Sequence, residues 1–316
     1  MTLNIILFSF SSFILSWCLL KISLPYLIKN VIDKPNHRSS HKLPKPSGGG
    51  LSFVISGVVM SLFNGNFLPM FCMPLAFIGF MDDLIGLTRI LRFSTQLITV
   101  SLIVYDAQFM DNFRELEKTT YFLLLILLII IGIAMVNFIN FMDGVDGLVA
   151  GSMILIFLLG SIFISNSYLV FVGSLLAFLL WNWSPSKVFM GDGGSTFLGA
   201  LLFGLLLHSS SLFELVKIFI VSSPLLLDAF ICVLRRFINN QKIFDPHSSH
   251  LYQRLYQAGW NHSSVAILYI TCILTLSISM IIGNFALMVY LLLIQFLIGL
   301  FLDQKIAIPF VETIEK

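Results

Sequence analysis

The sequence predicts an all-α, polytopic integral membrane protein with about eleven transmembrane helices. Of its 316 residues, 58% are hydrophobic and only 11% are charged, and the mean hydropathy is +0.96. A soluble domain carries about 25% charged residues, so a chain this apolar needs lipid around it. The net charge of +2 gives no indication of a nucleic-acid partner.

Apolar runs between polar breaks define the candidate spans, because a helix needs about 20 mostly apolar residues to cross a bilayer. Ten spans are the alternative count, since the second and third runs are short and closely joined. The first run is expected to be retained rather than cleaved as a signal peptide, because Lys21 is its first basic residue and follows the apolar stretch. The runs cover residues 3–20, 49–65, 67–81, 90–105, 120–139, 148–165, 167–183, 195–211, 213–233, 264–282 and 285–302.

Basic residues predict the orientation of these spans, since cytoplasmic loops are enriched in Lys and Arg. With the N-terminus outside and the C-terminus in the cytoplasm, fifteen basic residues face inward and only Arg114, Lys118 and Lys217 face outward. The opposite orientation would reverse this bias. No long hydrophilic segment interrupts the spans, so residues 1–316 are expected to form a single membrane domain.

Five unusually polar segments fall on the predicted cytoplasmic side, in loops 29–50, 82–92, 137–147, 184–195 and 234–262. Carboxylates this near a bilayer are costly and usually have a function. Each acid taken alone could equally be a helix cap or a solvated loop residue. Five segments on one face are harder to explain that way, so the sequence predicts one shared site.

Glycines and carboxylates occur together in three of these segments, where helices are expected to start. Free N–H groups at a helix start, with glycine beside them, favour anion binding. Carboxylates in the same place would repel a phosphate unless a cation lay between them, and Mg²⁺ commonly binds through carboxylates and substrate phosphates. The sequence leaves two roles for Phe189, which are stacking on a base and anchoring at the membrane interface. The cations that could neutralise the remaining charge are Lys42, Arg89, Arg92, His247, His250 and Arg254.

The motifs NFINFMDGVDGL and FMGDGGSTFLG resemble the polyprenyl-phosphate N-acetylhexosamine-1-phosphate transferases, glycosyltransferase family 4. This superfamily includes the phospho-MurNAc-pentapeptide translocase, and the matching stretch runs from Asp33 to Arg254. The motifs DKPNHRSSHKLPKPSGGGL and HSSHLYQRL further resemble the branch that initiates lipopolysaccharide O-antigen with modified hexosamines such as FucNAc or QuiNAc.

The resemblance implies transfer of an N-acetylhexosamine-1-phosphate from a UDP-sugar to undecaprenyl phosphate, with release of UMP. The product, undecaprenyl-diphosphate-sugar, would begin O-antigen or related surface-glycan synthesis at the cytoplasmic face of the bacterial inner membrane. The implied cofactor is Mg²⁺, which Mn²⁺ is expected to be able to replace. A homodimer is left open, and the donor sugar cannot be read from the sequence.

The resemblance also implies roles for individual residues. Asp82 is expected either to accept a proton from the lipid phosphate or to position it. The implied metal ligands are Asn140 and Asp192. The implied catalytic residues are Asp82, Asp83, Asp143, Asp146, His247 and His250. The implied substrate-binding residues are Lys42, Ser47, Arg89, Arg92, Asn137, Phe189 and Arg254.

Two departures from the translocase branch favour a hexosamine over a peptidoglycan substrate. Gly86 stands where that branch has Lys in its DDxxK motif, so Arg89 or Arg92 is expected to supply the missing cation. The single pair of His247 and His250 also differs from the translocase's triple histidine.

The main alternative function is a polytopic transporter with an acidic ion site on its cytoplasmic side. Transporters hold ionisable groups near the bilayer midplane, whereas only Asp228 lies well inside a predicted span here. A CDP-alcohol phosphotransferase is disfavoured because no Arg follows Asp146 and Gly147 at the required position. The four cysteines stand singly without CxxC spacing, which gives no indication of a disulfide framework or a zinc site.

Overall fold

The computed structural model of the chain describes residues 2–35, 43–107, 110, 113, 115–242 and 247–313. Within these residues the chain is almost entirely helical, and its α-helices are labelled in chain order. They are α1 (Thr2–Asn30), α2 (Leu51–Phe63), α3 (Leu68–Phe71), α4 (Met73–Ile85), α5 (Arg89–Asp106), α6 (Lys118–Met142), α7 (Leu148–Phe163), α8 (Leu169–Asn182), α9 (Asp192–Leu207), α10 (Leu212–Ile238), α11 (Leu251–Gln257), α12 (His262–Ile282) and α13 (Phe285–Lys305). Two 3₁₀ turns cover Asn166–Tyr168 and Phe310–Thr313.

Each predicted span overlaps at least one helix, and the prediction of an all-α polytopic membrane protein is confirmed. In the described part of the chain, six helical stretches are long and apolar enough to cross a membrane, and four shorter apolar helices (α2, α7, α8 and α9) accompany them. Helix α5 forms as expected but is in neither group. The six long stretches are residues 4–30, 68–85, 118–142, 212–238, 262–282 and 285–305.

The third predicted span, 67–81, consists of two helices rather than one. Helix α3 ends and α4 begins around Cys72. Pro69 and Pro74 lie in the first turns of α3 and α4. Proline is favoured there because the N–H that it lacks has no partner within the helix at that position.

Helix α9 lies at the centre of the bundle, in contact with α4 and α6 and with several further helices. Its residues from Gly193 to Leu207 are all buried. Gly199 allows α6 to approach closely, since a Cβ at this position would come within 2.7 Å of the Val136 Cα. Helix α13 lies at the edge of the bundle, and only Met288 and Leu302 are buried among its residues.

A two-stranded antiparallel pair, which the sequence did not predict, connects α1 to α2. Strand β1 (Ile32–Asp33) pairs with β2 (Lys45–Pro46), with Ile32 opposite Pro46 and Asp33 opposite Lys45. The pair brings the two ends of the intervening segment together. The predicted substrate-binding residue Lys42 belongs to that segment and lies outside the described residues.

The alternating direction of the helices gathers the polar segments at one end of the bundle. Helices α4, α6 and α8 end beside the starts of α2, α7, α9 and α12. The residues that cap these helix ends are therefore close in space although they are far apart in sequence.

Candidate active site

A cavity of about 430 Å³ opens at this end of the bundle, and we call it the carboxylate cavity. Its lining is rich in acids and amides, and it takes residues from all five polar segments, most of them from 29–50, 137–147 and 184–195. Side chains that line it include Asp33, Ser47, Asp83, Asn140, Asp143, Asp146, Asn182, Phe189, Asp192, Ser195, Gln253 and His262. Seven of the fifteen predicted site residues are therefore in one place.

Backbone pairing between two loops builds one wall of the cavity. The Gly49 and Gly50 amides donate to the Phe189 and Met190 carbonyls at 3.0 and 2.9 Å. Gly191 follows with φ of +77°, a conformation that side chains other than glycine rarely adopt. A Cβ at Gly191 would also collide with the Asp83 carboxylate, so this glycine is required by both its conformation and its neighbour.

Close packing of α4 against α9 places Asp83 beside Asp192. Gly79 of α4 lies directly against the backbone of Gly193, where a Cβ would come within 2.6 Å of the Gly193 Cα. The Asp192 amide then lies 3.4 Å from Asp83 Oδ1 and donates to it, and the Ser47 hydroxyl donates to Oδ2, also at 3.4 Å. Asp83 thus faces the cavity and receives a free N–H from the start of α9.

The adjacent Asp82 has different partners. Arg92 Nη1 donates to Asp82 Oδ2 at 2.5 Å, and the Leu87 amide donates to Oδ1 at 2.6 Å. Arg92 Nη1 also lies 3.7 Å from Asp192 Oδ2. The two neighbouring acids of α4 are therefore divided, since Asp82 pairs with the start of α5 and only Asp83 lines the cavity.

Asn140, on the last turn of α6, is hydrogen-bonded through its side chain to Asp192. The Asp192 side chain is 38% exposed, so it is accessible from the cavity. These two residues, which the sequence predicts as metal ligands, lie together in the structure.

Asp143 caps the end of α6 and is surrounded by negative charge. Burial, and then the charges of Asp192, Asp83 and Asp146, raise its pKa well above the ordinary value of 3.8. Its acidic neighbours therefore oppose its ionisation, and a bound cation would favour the charged form.

Asp146 differs from Asp143 because its carboxylate has several hydrogen-bonding and ionic partners. Its side chain is 4% exposed. Ser186 donates to it through its backbone amide at 3.1 Å and its hydroxyl at 2.8 Å. His262 Nδ1 and Lys45 Nζ lie 3.3 and 3.6 Å from the carboxylate. Burial opposes ionisation, but the hydrogen bonds and charge of His262 and the hydrogen bonds of Ser186 outweigh it, so the pKa of Asp146 falls to about 2.

The charges in the cavity do not balance. Asp82 pairs with Arg92, and Asp146 pairs with Lys45 and His262. Among the residues that the structure describes, no Lys or Arg lies within 4.0 Å of the carboxylates of Asp83 or Asp143. An arrangement of this kind is suited to a bound cation with oxygen ligands.

Phe189 stands at the cavity wall with the Lys45 ammonium 5.1 Å from the centre of its ring. Its ring is partly exposed. An aromatic face beside a cation is suited to a planar, electron-rich group such as a nucleobase.

Several predicted site residues lie outside the cavity lining. Asn137 exchanges hydrogen bonds with Gln96 between α5 and α6, at 3.0 and 3.2 Å. Arg89 is exposed near the start of α5. His247 and His250 stack on each other and contact Phe141, 6.3 and 5.8 Å away between ring centres.

Arg254 is also outside the cavity, since it is 2% exposed and directed into the protein. Its Nε donates to the Ser249 carbonyl at 3.1 Å, its Nη1 donates to the Ile308 carbonyl at 2.9 Å, and its Nη2 donates to Asp303. These contacts join the segment before α11 to the end of the chain.

The sequence reasoning missed His262 and Gln253, which line the cavity. His262 starts α12, and its ring supports Asp146. Gln253 is placed by α11, whose first amides, of Leu251 and Tyr252, donate to Asp228 at 2.8 and 3.1 Å. Asp228 is thus a buried, hydrogen-bonded acid that caps α11, and it does not line the carboxylate cavity.

The structure defines a polytopic helical membrane protein with a carboxylate-rich cavity at its helix ends, and sequence comparisons identify its family. Residues 67–210 match the family model "Glycosyl transferase family 4". The chain is 32% identical over 263 residues to the "Probable undecaprenyl-phosphate N-acetylglucosaminyl 1-phosphate transferase" of Bacillus subtilis, covering 76% of this chain and 74% of that protein.

Two further relatives have related names. The "Decaprenyl-phosphate N-acetylglucosaminephosphotransferase" of Mycobacterium leprae is 28% identical, with coverage of 74% of this chain and 72% of that protein. The "Phospho-N-acetylmuramoyl-pentapeptide-transferase" of Thermotoga maritima is 29% identical, with coverage of 72% and 81%. The chain belongs to glycosyl transferase family 4, the polyprenyl-phosphate N-acetylhexosamine-1-phosphate transferase superfamily.

Proposed function

We propose that the protein transfers an N-acetylhexosamine-1-phosphate from a UDP-sugar to undecaprenyl phosphate. The observation that carries this proposal is the carboxylate cavity, in which Asp83, Asp143 and Asp192 face one space at helix ends. An acceptor with a lipid tail and a phosphate head can reach such a site from the bilayer while a soluble donor enters from the water. The names of the relatives supply the substrate classes.

The residues of the cavity fit Mg²⁺. The carboxylates of Asp83, Asp143 and Asp192 and the amide oxygen of Asn140 are hard oxygen ligands, and Asp83 and Asp143 lack basic partners among the described residues. Asn140 and Asp192 are the ligands that the family resemblance implies. When bound, Mg²⁺ or Mn²⁺ supplies the positive charge that lets pyrophosphate oxygens approach these acids.

In the proposed reaction an oxygen of the lipid phosphate attacks the β-phosphorus of the UDP-sugar. The bond from that phosphorus to the bridging oxygen breaks, and UMP leaves with the oxygen. Asp83 orients the attacking phosphate, which is already ionised and has little need of a base. The Phe189 ring stacks on the uracil, and Lys45 and Arg92 offset phosphate charge beside it. Phosphoryl transfer depends mainly on such positioning and charge stabilisation.

The donor can be identified directly. Membranes containing the protein are incubated with undecaprenyl phosphate, Mg²⁺ and one UDP-N-acetylhexosamine at a time, and the lipid product is identified by mass spectrometry while UMP is quantified. We expect one donor to give undecaprenyl-diphosphate-sugar and an equal amount of UMP. Asp192→Asn should abolish both, whereas Asp106→Asn, at the other end of the bundle, should leave them unchanged. Equal turnover by Asp192→Asn and the unmodified protein would refute the metal assignment.

The proposed site faces the cytoplasm of a bacterial inner membrane, and the product initiates O-antigen or a related surface glycan. The bias of basic residues supports this orientation, and the motifs of residues 33–51 and 247–255 support this branch. A Cys placed at Ser248 in a cysteine-free background should react with an impermeant reagent only from the cytoplasmic side. Labelling only from the outside would show that the orientation is the opposite of the proposed one.

The transporter alternative predicts a different result in the same preparation. Proteoliposomes that move a solute across the bilayer without releasing UMP from any donor would support transport. Family membership favours the transferase, and Asp228, the acid deepest in a span, is occupied by its contacts with α11 and with the Tyr269 hydroxyl at 2.6 Å.

A further inference from the structure

A second group of potential metal ligands lies outside the carboxylate cavity. Single ligand atoms of Cys232, His247 and His250 all lie within 4.8 Å of one another. Cys232 is near the end of α10, and both histidines lie in the segment that leads into α11. None of the three lines the carboxylate cavity.

The burial and bonding of these side chains indicate a built site rather than a chance grouping. Cys232 and His250 are 3% and 2% exposed. His250 Nδ1 has no hydrogen-bond partner within the described structure, although it is fully buried. A buried imidazole nitrogen without a partner is unfavourable, and Nδ1 gains one if a metal bound to the other ring nitrogen, Nε2, orients the ring toward a nearby carboxylate.

Asp228 provides the supporting contact that a metal-binding histidine commonly has. Its Oδ1 lies 3.9 Å from His250 Nδ1, and both of its oxygens are held by the first amides of α11. Ligating histidines generally bind the metal through one ring nitrogen and direct the other toward a carboxylate or carbonyl. The carboxylate of Asp228 is in place for this second role after a small approach.

The donor set selects a class of metal. A thiolate with two imidazoles favours Zn²⁺, Co²⁺ or a similar transition metal over Mg²⁺, which prefers oxygen ligands. A cavity of about 130 Å³ between α10, α12 and α13 is lined by Cys232, Asp228 and Ser249, so it reaches one of the three ligands.

We propose that Cys232, His247 and His250 form a binding site for Zn²⁺ or a chemically similar transition metal, separate from the proposed Mg²⁺ site. Three protein ligands leave one position for water. Metal binding would connect the end of α10 to the segment before α11. Helix α11 carries Gln253, which lines the carboxylate cavity. The sequence does not reveal the site, because fourteen residues lie between Cys232 and His247.

The test is direct metal binding to the purified full-length protein in detergent, with excess Mg²⁺ present so that oxygen-ligand sites are filled. After treatment with a chelator, the protein is titrated with Co²⁺ and then with Zn²⁺. We expect one Zn²⁺ per chain, an increase in Tm, and a thiolate-to-cobalt charge-transfer band in the Co²⁺ form. A protein that retains no Zn²⁺ and shows no such band would overturn the proposal without any variant.

Matched variants identify the ligands. Cys232→Ser should remove the charge-transfer band and weaken Zn²⁺ binding at least tenfold, whereas Cys272→Ser, a partly buried cysteine of α12, should retain both. His247→Ala leaves the thiol in place, so it should keep a weaker band with reduced affinity. Circular dichroism and size-exclusion chromatography check that each variant is folded. Loss of the band in Cys272→Ser but not in Cys232→Ser would assign the thiolate elsewhere and refute the site.

Discussion

His262 Nδ1 lies 3.2 Å from the backbone nitrogen of Asp146 and 3.3 Å from its carboxylate. This pair joins the start of α12 to the loop between α6 and α7, which also carries Asp143. The His262 ring therefore holds this loop in position. His262 itself lies outside the sequence motifs that mark the family.

Replacement of His262 should impair both stability and activity. His262→Ala leaves a buried carboxylate with fewer partners, which should lower the free energy of unfolding by about 1–3 kcal/mol. Displacement of the Asp143 loop should reduce turnover roughly tenfold to a hundredfold. Thermal unfolding and UMP release measure the two effects. His208→Ala, at the far end of α9, is the control, and equal behaviour of the two variants would make the His262 contact unimportant.

The predicted spans were recognisable because each is an apolar run, and apolar runs are visible without any knowledge of packing. Helix α11 has no such run and was not predicted, since it lies in the predicted loop 234–262. The break at Cys72 was not predicted, since residues 67–81 are continuously apolar and only the tertiary packing decides that Pro69 and Pro74 start separate helices. The short pairing of β1 with β2 was also missed, because two-residue strands carry no periodic pattern.

The carboxylates of the site were predictable for a different reason, since acids beside apolar runs are rare enough to stand out. Single polar residues without that contrast were missed, as His262 and Gln253 illustrate. The sequence also cannot show in which direction each of two neighbouring side chains points. Asp82 and Asp83 are adjacent, but one pairs with Arg92 and the other lines the cavity. The catalytic, substrate-binding and metal-binding roles of all fifteen predicted site residues remain predictions.

Arg92 should contribute more to donor binding than Arg89. Its guanidinium is within 2.5 Å of Asp82 and 3.7 Å of Asp192, so it offsets charge at the edge of the cavity. Arg92→Gln should raise the KM for the UDP-sugar roughly tenfold, because unpaired carboxylates repel the diphosphate. Arg92→Lys should recover part of the loss. Arg89→Gln serves as the comparison, and a larger effect there would transfer the role to Arg89.

Mg²⁺ affinity should depend on pH through Asp143. Burial and the charges of Asp192, Asp83 and Asp146 raise the pKa of Asp143 well above 3.8. A proton therefore competes with the cation, and affinity should increase as pH rises toward the folded-state pKa. Isothermal titration at several pH values measures this, with proton release on binding. Asp143→Asn should bind Mg²⁺ more weakly with a flatter pH dependence, and an unchanged slope in that variant would exclude Asp143 as the titrating group.

Arg254 should prove necessary for stability and of little importance for substrate affinity. Its buried guanidinium donates to Asp303 and to the Ser249 and Ile308 carbonyls, and so connects the segment before α11 with the end of the chain. Removing one partner from a buried ion pair costs about 3–5 kcal/mol, so Arg254→Ala should lower the Tm markedly while the KM for the donor in the remaining folded protein stays unchanged. Arg235→Gln should have a smaller effect, because Arg235 is 32% exposed and Asp303 keeps Arg254 as its partner. If Arg254→Ala instead raised the KM at unchanged Tm, the residue would act on the substrate as the family resemblance implies, and the loop would have to move to deliver it.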